Sequence, residues 1–351
     1  MKKFKKIKFD WIILGNIIFL TAISLLLLLG TGENLFQDQL VNAIVGFSFF
    51  IFFSFFPYQL LKKISFFLLI SSLIFLSLPL ILGVATRGAT RWINLGSFSL
   101  QPSEIIKPFA ISIIANQGVL LSFLLALPFA ILIFIQPDLG STLSLICGFG
   151  GVWISKSEAR KSFLALLVLG TLLLPILWHF LAPFQKERIT SFLHPQSDPL
   201  GSSYQSLQAI ITVGSGKIFG RGLGLGTQSR LAFLPENHND LIFASLIESF
   251  GLFGGILILA SYCLLLWHLI SIAKNSEDEF GRLLTLGIFS MLSGQIFINI
   301  GMNMGILPIT GITLPLISYG GSSYLATMIS LGMCHSVFRQ SRHYPRELDI
   351  K

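Results

Sequence analysis

The segment Phe233-Leu-Pro-Glu-Asn-His-Asn-Asp240 closes a long polar stretch, residues 181–240, and leads straight into the apolar run Leu241-Ile-Phe-Ala-Ser-Leu-Ile247. Glu236, His238 and Asp240 thus gather at one membrane edge of a chain that otherwise avoids charge. A carboxylate in such a place can serve as a general base for a hydroxyl within hydrogen-bond reach. Arg221 and Arg230 lie just upstream. Acids, one His and several cations on one face suit a substrate with an anionic headgroup and a reacting hydroxyl. The competing use of Asn239 or Asp240 is as N-cap of the helix that follows.

Three further acids lie in or beside apolar stretches: Glu104, Asp138 and Glu248. An ionisable group within a span costs about 2.5–3.5 kcal/mol on insertion scales and marks a cavity or a partner. Glu104 and Lys107 are three apart, so they share a helix face and can pair. Asp138 can cap the helix after it. Glu248 stands about two turns beyond Asp240, so it either faces the same cavity or bonds to a neighbouring helix. The glycine-rich run Val213 to Gly226 lacks the Gly-x4-Gly-Lys-Ser/Thr spacing of a nucleotide loop. It offers flexible backbone, with Lys217 and Arg221 as cations, or is a plain mobile loop. The segment Gly305 to Ser323 has two prolines and four glycines at membrane depth. Broken backbone is tolerated there only inside protein or against a wet cavity.

The elements that must hold these groups are transmembrane. The chain is 53% hydrophobic and 11% charged, against about 25% charged in soluble domains. Apolar stretches recur near 12–29, 41–57, 64–83, 105–117, 119–135, 139–155, 162–180, 241–268, 283–303 and 319–338. Region 104–135, interrupted at Asn116-Gln117-Gly118, reads as one bent span or two short ones. Two spans place 16 Lys+Arg on one side and 8 on the other, whereas one span gives 12 and 12. The positive-inside rule favours two. The expected fold is an all-α polytopic membrane protein of about ten transmembrane helices. Both termini are cytoplasmic, and the long extracytoplasmic loop 181–240 joins helices seven and eight in a single integral-membrane domain, 1–351. The net charge of +8 collects on the cytoplasmic face, where it fits topology and anionic lipid and excludes a nucleic-acid partner. Cys147, Cys263 and Cys334 have no CxxC spacing and fit neither a disulfide nor a zinc site. Phe, at 33 residues, reads as lipid-facing bulk.

Several stretches, in order, resemble the SEDS family (shape, elongation, division and sporulation). They are Gly88-Ala-Thr-Arg-Trp-Ile93, Gln101-Pro-Ser-Glu-Ile-Ile-Lys107, Gln136-Pro-Asp-Leu-Gly140, Gly226-Thr-Gln-Ser-Arg-Leu231, Leu234-Pro-Glu-Asn-His-Asn-Asp-Leu-Ile-Phe243, Phe280-Gly-Arg282 and Pro308 to Gly321. Gly226-Thr-Gln-Ser favours the RodA branch over its division paralogue FtsW. The resemblance implies a peptidoglycan glycosyltransferase that polymerises lipid II into glycan strands on the outer face of the bacterial cytoplasmic membrane during elongation. It implies a class B penicillin-binding protein, a transpeptidase, as partner. Carried over residue by residue, it places the essential Asp on Asp240, an outer-loop Arg on Arg91, and a Glu and a Lys on Glu104 and Lys107.

That chemistry suits the residue types. Asp240 as base takes the proton of a sugar 4-hydroxyl, which attacks the anomeric carbon of a second sugar and displaces a lipid diphosphate. The leaving group needs positive charge, from Arg and Lys or from a divalent cation (Mg or Mn). Arg91, Lys107, Arg221 and Arg230 are the candidate cations, with Glu104, Glu236 and His238 as further substrate-binding candidates and no metal-ligand set among the residues. The sequence departs from the family pattern at Ala232, where relatives carry an acid, at His238-Asn-Asp240 for His-Thr-Asp, and at Glu248-Ser249 for paired acids. The competing functions are a lipid II flippase, whose site belongs near the midplane between repeats, and a non-catalytic scaffold, which would not need Asp240.

Overall fold

The computed structural model describes residues 9–86, 89–94, 99–172, 174–196, 198–199, 201, 203–231 and 233–341. Ala232, the start of the Gly88 motif, the N-terminal lysines and the basic tail fall outside them, and with them the placement of both termini. Among the described residues there are sixteen helices. They are α1 (Trp11–Thr31), α2 (Glu33–Phe55), α3 (Tyr58–Lys63), α4 (Ser65–Leu82), α5 (Pro102–Ile105), α6 (Lys107–Asn116), α7 (Val119–Ile135), α8 (Leu139–Ser155), α9 (Ser157–Leu172), α10 (Leu174–Phe180), α11 (Pro183–Leu193), α12 (Tyr204–Ser215), α13 (Thr227–Arg230), α14 (Ile242–Lys274), α15 (Glu279–Asn303) and α16 (Gly321–Gln340). Among the described residues, α1, α2, α4, α14 and α15 are each long and apolar enough to cross a membrane. Helices also stand at the other expected positions, shorter or more polar. Beside the helices, β1 (Val84–Thr86), β2 (Ala89–Asn94) and β3 (Ser99–Leu100) form a small antiparallel sheet that the hydropathy pattern does not show, with Val84 opposite Trp92 and Ile93 opposite Leu100. β-branched and aromatic residues in this loop stretch favour strand.

Region 104–135 is two helical segments. The turn between α6 and α7 is tied to the lysine-bearing end of the molecule: Asn116 donates to the Lys62 carbonyl, Gln117 to Ser65 Oγ, and Lys156 to the Gln117 carbonyl. At the opposite end, Gln136 donates to the Leu76 carbonyl (2.6 Å) and Gln101 to Asp138 (2.7 Å). The chain therefore runs down α6 and back along α7.

The central rods pack closely because glycines face their partners. A side chain at Gly148 would meet Ile111 and Met291, and one at Gly287 would meet Ile111 and Val152, so α6, α8 and α15 approach one another tightly. Gly46 and Gly332 do the same for α2 and α16. With lipid outside, such packing replaces the hydrophobic effect as the force between helices. The core includes Phe50, Phe129, Tyr262, Leu284 and Tyr324, whereas Phe66 and Phe67 of α4 stay 77% and 71% exposed on the periphery.

The stretch 181–240 is not a simple loop. It contains α11, α12 and α13, and Ala209 and Thr212 of α12 are buried. The glycine-rich run serves a local purpose. α14 breaks at Gly251 (φ 68°, ψ −170°), which strands the backbone groups around it. Residues 217–222 satisfy them: Arg221 N and Gly222 N donate to the carbonyls of Glu248 and Ser249, while Leu252 N and Phe253 N donate to Lys217 and Ile218. Such repair is obligatory where water is scarce.

A Cβ at Gly251 would sit at a left-handed φ and collide with Gly220 N and Ile218 O. Gly251→Ala should lower the melting temperature in detergent by the equivalent of about 2–4 kcal/mol. Gly15→Ala, with open space around it, should be neutral or slightly stabilising, as for any helix-interior Gly→Ala. Thermal unfolding of the two variants beside the wild type checks both.

Candidate active site

The turn 236–241 carries the candidate base Asp240, and its backbone is held from three sides. Glu236 takes φ 53°, and Asn239 N and Leu241 N both donate to its carbonyl. Tyr319 N donates to the His238 carbonyl (2.9 Å), and Ser318 Oγ to the Asn239 carbonyl (2.8 Å). Asn299 and Asn303, one turn apart on α15, both donate to the Asp240 carbonyl (3.0 and 3.1 Å). Asn303 Oδ1 also accepts Ala244 N–H (3.0 Å) in the first turn of α14, a donor with no partner inside its own helix. The N-cap of α14 is Leu241, so neither Asn239 nor Asp240 occupies the capping position.

Asp240 and Glu236 line a cavity of about 260 Å³ together with Arg188, Gln205, Leu241 and Ile309. Gly311 (φ 79°) is placed so that a Cβ there would lie 3.5 Å from Asp240 Oδ2 and 3.6 Å from Arg188 Nη1. Carboxylate and guanidinium thus converge on one glycine, within about 7 Å of each other. Arg188 and Gln205 were not singled out from sequence. Arg188 sits in the charged triplet Lys186-Glu187-Arg188, which reads as a solvated face until α11 folds over the turn.

The other expected site residues separate into distinct places. Arg230 and His238 lie on the far side of the turn, in a narrow crevice against the end of α1. Arg221 is exposed and its Nε donates to the Ser215 carbonyl (3.2 Å). Glu248 does not face the Asp240 cavity. It is fully buried and accepts from Gln228 N (2.9 Å), Ser229 N (3.0 Å), Ser229 Oγ (2.6 Å) and Ser215 Oγ (3.4 Å). Its work is to fix α13, and Gly226 leaves room for it.

Arg91, Glu104 and Lys107 belong to a buried network centred on Asp138. Arg91 pairs with Asp138 at 3.3 Å, Gln101 and Ser103 donate to its other oxygen, and Ser141 N donates to Oδ1 as a helix cap. Lys107 pairs with Glu104 at 2.5 Å, which also accepts from Ser141 Oγ. Lys107 is 1% exposed, so its charge is spent inside the protein. At the helix cap, burial raises the Asp138 pKa, but Arg91, Lys107 and the Ser141 N–H lower it further and leave it below the ordinary carboxylate value. The network touches the active turn only indirectly: Gly140 of α8 abuts Thr310 and Ile312, in the segment that carries Gly311.

That segment, 304–320, is irregular, as its prolines and glycines predict, and is buried along 314–318. Its carbonyls are met by side chains: Asn299 donates to Ile312, Tyr262 to Pro315 and Ser24 to Ile317. Tyr319 bonds Asp38, and burial with that carboxylate pushes its phenol up to about 12.

Comparison with known proteins gives this geometry a family. The model of the cell cycle protein family FtsW/RodA/SpoVE matches residues 3–343. The chain belongs to that family. It is 40% identical over 268 residues to the peptidoglycan glycosyltransferase MrdB of Escherichia coli K12, covering 73% of this chain and 72% of that protein. It is 40% identical over 301 residues to stage V sporulation protein E of Bacillus subtilis strain 168, covering 81% and 80%. A chain of a solved peptidoglycan synthase complex that coordinates polymerization and crosslinking superposes with a TM-score of 0.81 at 30% identity, covering 95% of this chain and 98% of that one. The rod shape determining protein RodA of Thermus thermophilus superposes with 0.71 at 25% identity, covering 96% and 98%. Like these structures, this family member is a multi-pass, mostly helical membrane protein.

Removing Lys107 alone strands a buried carboxylate. Lys107→Ala should destabilise by about 3–5 kcal/mol, whereas Glu104→Gln with Lys107→Met should recover most of that loss. Detergent melting of the single and double variants reads the difference.

Proposed function

We infer that this protein is a peptidoglycan glycosyltransferase that polymerises lipid II, with Asp240 as general base. The observation that carries the mechanism is a carboxylate and a guanidinium lining one cavity, within about 7 Å of each other beside Gly311. Asp240 takes the proton from the 4-hydroxyl of one lipid-linked disaccharide. The oxygen attacks the anomeric carbon of the other sugar, the carbon–oxygen bond to its diphosphate breaks, and the lipid diphosphate leaves with both bonding electrons. Arg188 stands where charge grows on that leaving group, and fixed charge aimed at such a point lowers the barrier more than the same charge in water. Glu236 and Gln205 offer acceptors and donors to the sugar hydroxyls.

The residues also fit a divalent cation in one mode. Among the described residues no group of three His, Cys, Asp or Glu forms a cage, but Mg is commonly held by one or two carboxylates plus substrate phosphates. Glu236 and Asp240 would hold it, and it would screen the departing diphosphate. The resemblance to a chain of a synthase complex supports a class B penicillin-binding protein as partner, and the charge asymmetry supports an extracytoplasmic active face on the cytoplasmic membrane.

Asp240→Asn keeps the shape and removes the base, so lipid II polymerisation by the purified protein with its transpeptidase partner should fall about 10²–10⁴-fold. Arg188→Gln should lower polymerisation about tenfold or more by the loss of a charge-assisted contact. Gel analysis of the glycan product measures both. Unchanged polymerisation by Asp240→Asn would remove the mechanism.

A further inference from the structure

The glycine-rich loop after α12 sits at a definite height in the membrane. Beyond its break at Gly251, α14 has 23 residues, Leu252 to Lys274. At 1.5 Å per residue they span about 34 Å, the hydrocarbon thickness of a bilayer with little to spare. Gly251 therefore marks the membrane boundary at the active-site end. α1 gives the same level independently. Asp10, at its start, pairs with His268 near the lysine end of α14, and Gly30 stands about 30 Å further along. The loop touches both marks: Gly220 packs against Gly251, and Gly224 against Gly30.

At that level the loop turns apolar side chains outward. Phe219 is 82% exposed and Ile218 60%, and Leu223 and Leu225 are exposed beyond them. This surface continues without a step onto the spanning helices. Leu252 and Phe253 follow directly on the break in α14 and are exposed, as is Leu29 next to Gly30 on α1. The charge of the region has one sign. From Leu200 to Phe233 the sequence has three cations, Lys217, Arg221 and Arg230, and no acid. Lys217 and Arg221 are exposed within the loop itself. Bulky apolar side chains flanked by cations are the composition of elements that lie in the headgroup layer.

We propose that residues 217–225 are an interfacial anchor whose partner is the bilayer itself. Ile218, Phe219, Leu223 and Leu225 enter the acyl-chain boundary of the leaflet at the active-site end, while Lys217 and Arg221 meet anionic headgroups. The loop follows α12, which carries Gln205 of the Asp240 cavity, and precedes α13, which Glu248 fixes to α14. Anchoring it therefore holds the cavity at headgroup depth. The inference follows from the membrane class of the chain and stands whether or not Asp240 is a base.

Spin labelling of the full-length protein in lipid nanodiscs reads the depth. The background is Cys147→Ala, Cys263→Ala and Cys334→Ala, taken forward with a melting temperature matching the wild type. Nitroxides at Phe219→Cys, at Phe253→Cys in the span and at Glu187→Cys, exposed in the charged triplet of α11, are then compared. The label at 219 should behave like that at 253, colliding with oxygen in preference to a water-soluble nickel chelate. Nickel collisions at 219 equal to those at 187 would put the loop in water and overturn the proposal. The charge is tested with a fluorophore at Phe219→Cys and brominated lipids. Brominated phosphatidylglycerol should quench more strongly than brominated phosphatidylcholine, with a local enrichment of about fivefold per cation, and Lys217→Gln with Arg221→Gln should erase the difference. Equal quenching by the two lipids without those substitutions would overturn the role given to Lys217 and Arg221.

Discussion

Three consecutive carbonyls, those of His238, Asn239 and Asp240, accept hydrogen bonds from Tyr319 N, Ser318 Oγ and the amides of Asn299 and Asn303. Protein donors thus meet the backbone of an irregular turn, and the rest of the site depends on this bonding. α15 supplies the two amides at a spacing of one helical turn, so they stack on one face. The same Asn303 closes the first turn of α14. One helix therefore fixes both the backbone of Asp240 and the start of α14 itself, and the Asp240 side chain inherits that rigidity. Positioning of this kind is what a general base needs, since its effect depends on reach before it depends on basicity.

The acids of this chain are handled in two ways. Asp138, Glu104 and Glu248 are buried and saturated: cations answer the first two, and backbone N–H groups and hydroxyls answer the third. Their partners come from β2, α5, α6, α8 and α13, so each acid joins elements that lipid would otherwise let slide. Glu236 and Asp240 instead line a cavity. Burying charge in hydrocarbon is costly without partners, which explains why the structural acids are so fully bonded. It also sets the cavity-lining pair apart as the candidates for chemistry.

The 304–320 segment links these two populations. It contacts the Asp138 helix through Thr310 and Ile312, faces Asp240 through Gly311, and holds the turn through Ser318 and Tyr319. Its lack of helix is what allows it to serve three neighbours at once, because its own carbonyls and amides point sideways to be used.

The sequence by itself determined the membrane class and where the long apolar helices lie, because hydropathy and the cost of buried charge act locally along the chain. It marked Asp240 by its company, and the broken backbone of 305–323 by its prolines and glycines. Only the tertiary structure decided which charges share a space. Arg188, 52 residues before Asp240, enters the cavity because α11 folds over the turn, whereas Arg91 and Lys107 are consumed by Asp138 and Glu104. Glu248, at helical spacing from Asp240, turns away because the Gly251 break and the inserted loop bring α13 to it. Spacing along a chain fixes which residues share a helix face; which partner meets that face depends on segments far away in sequence, and no local pattern encodes it.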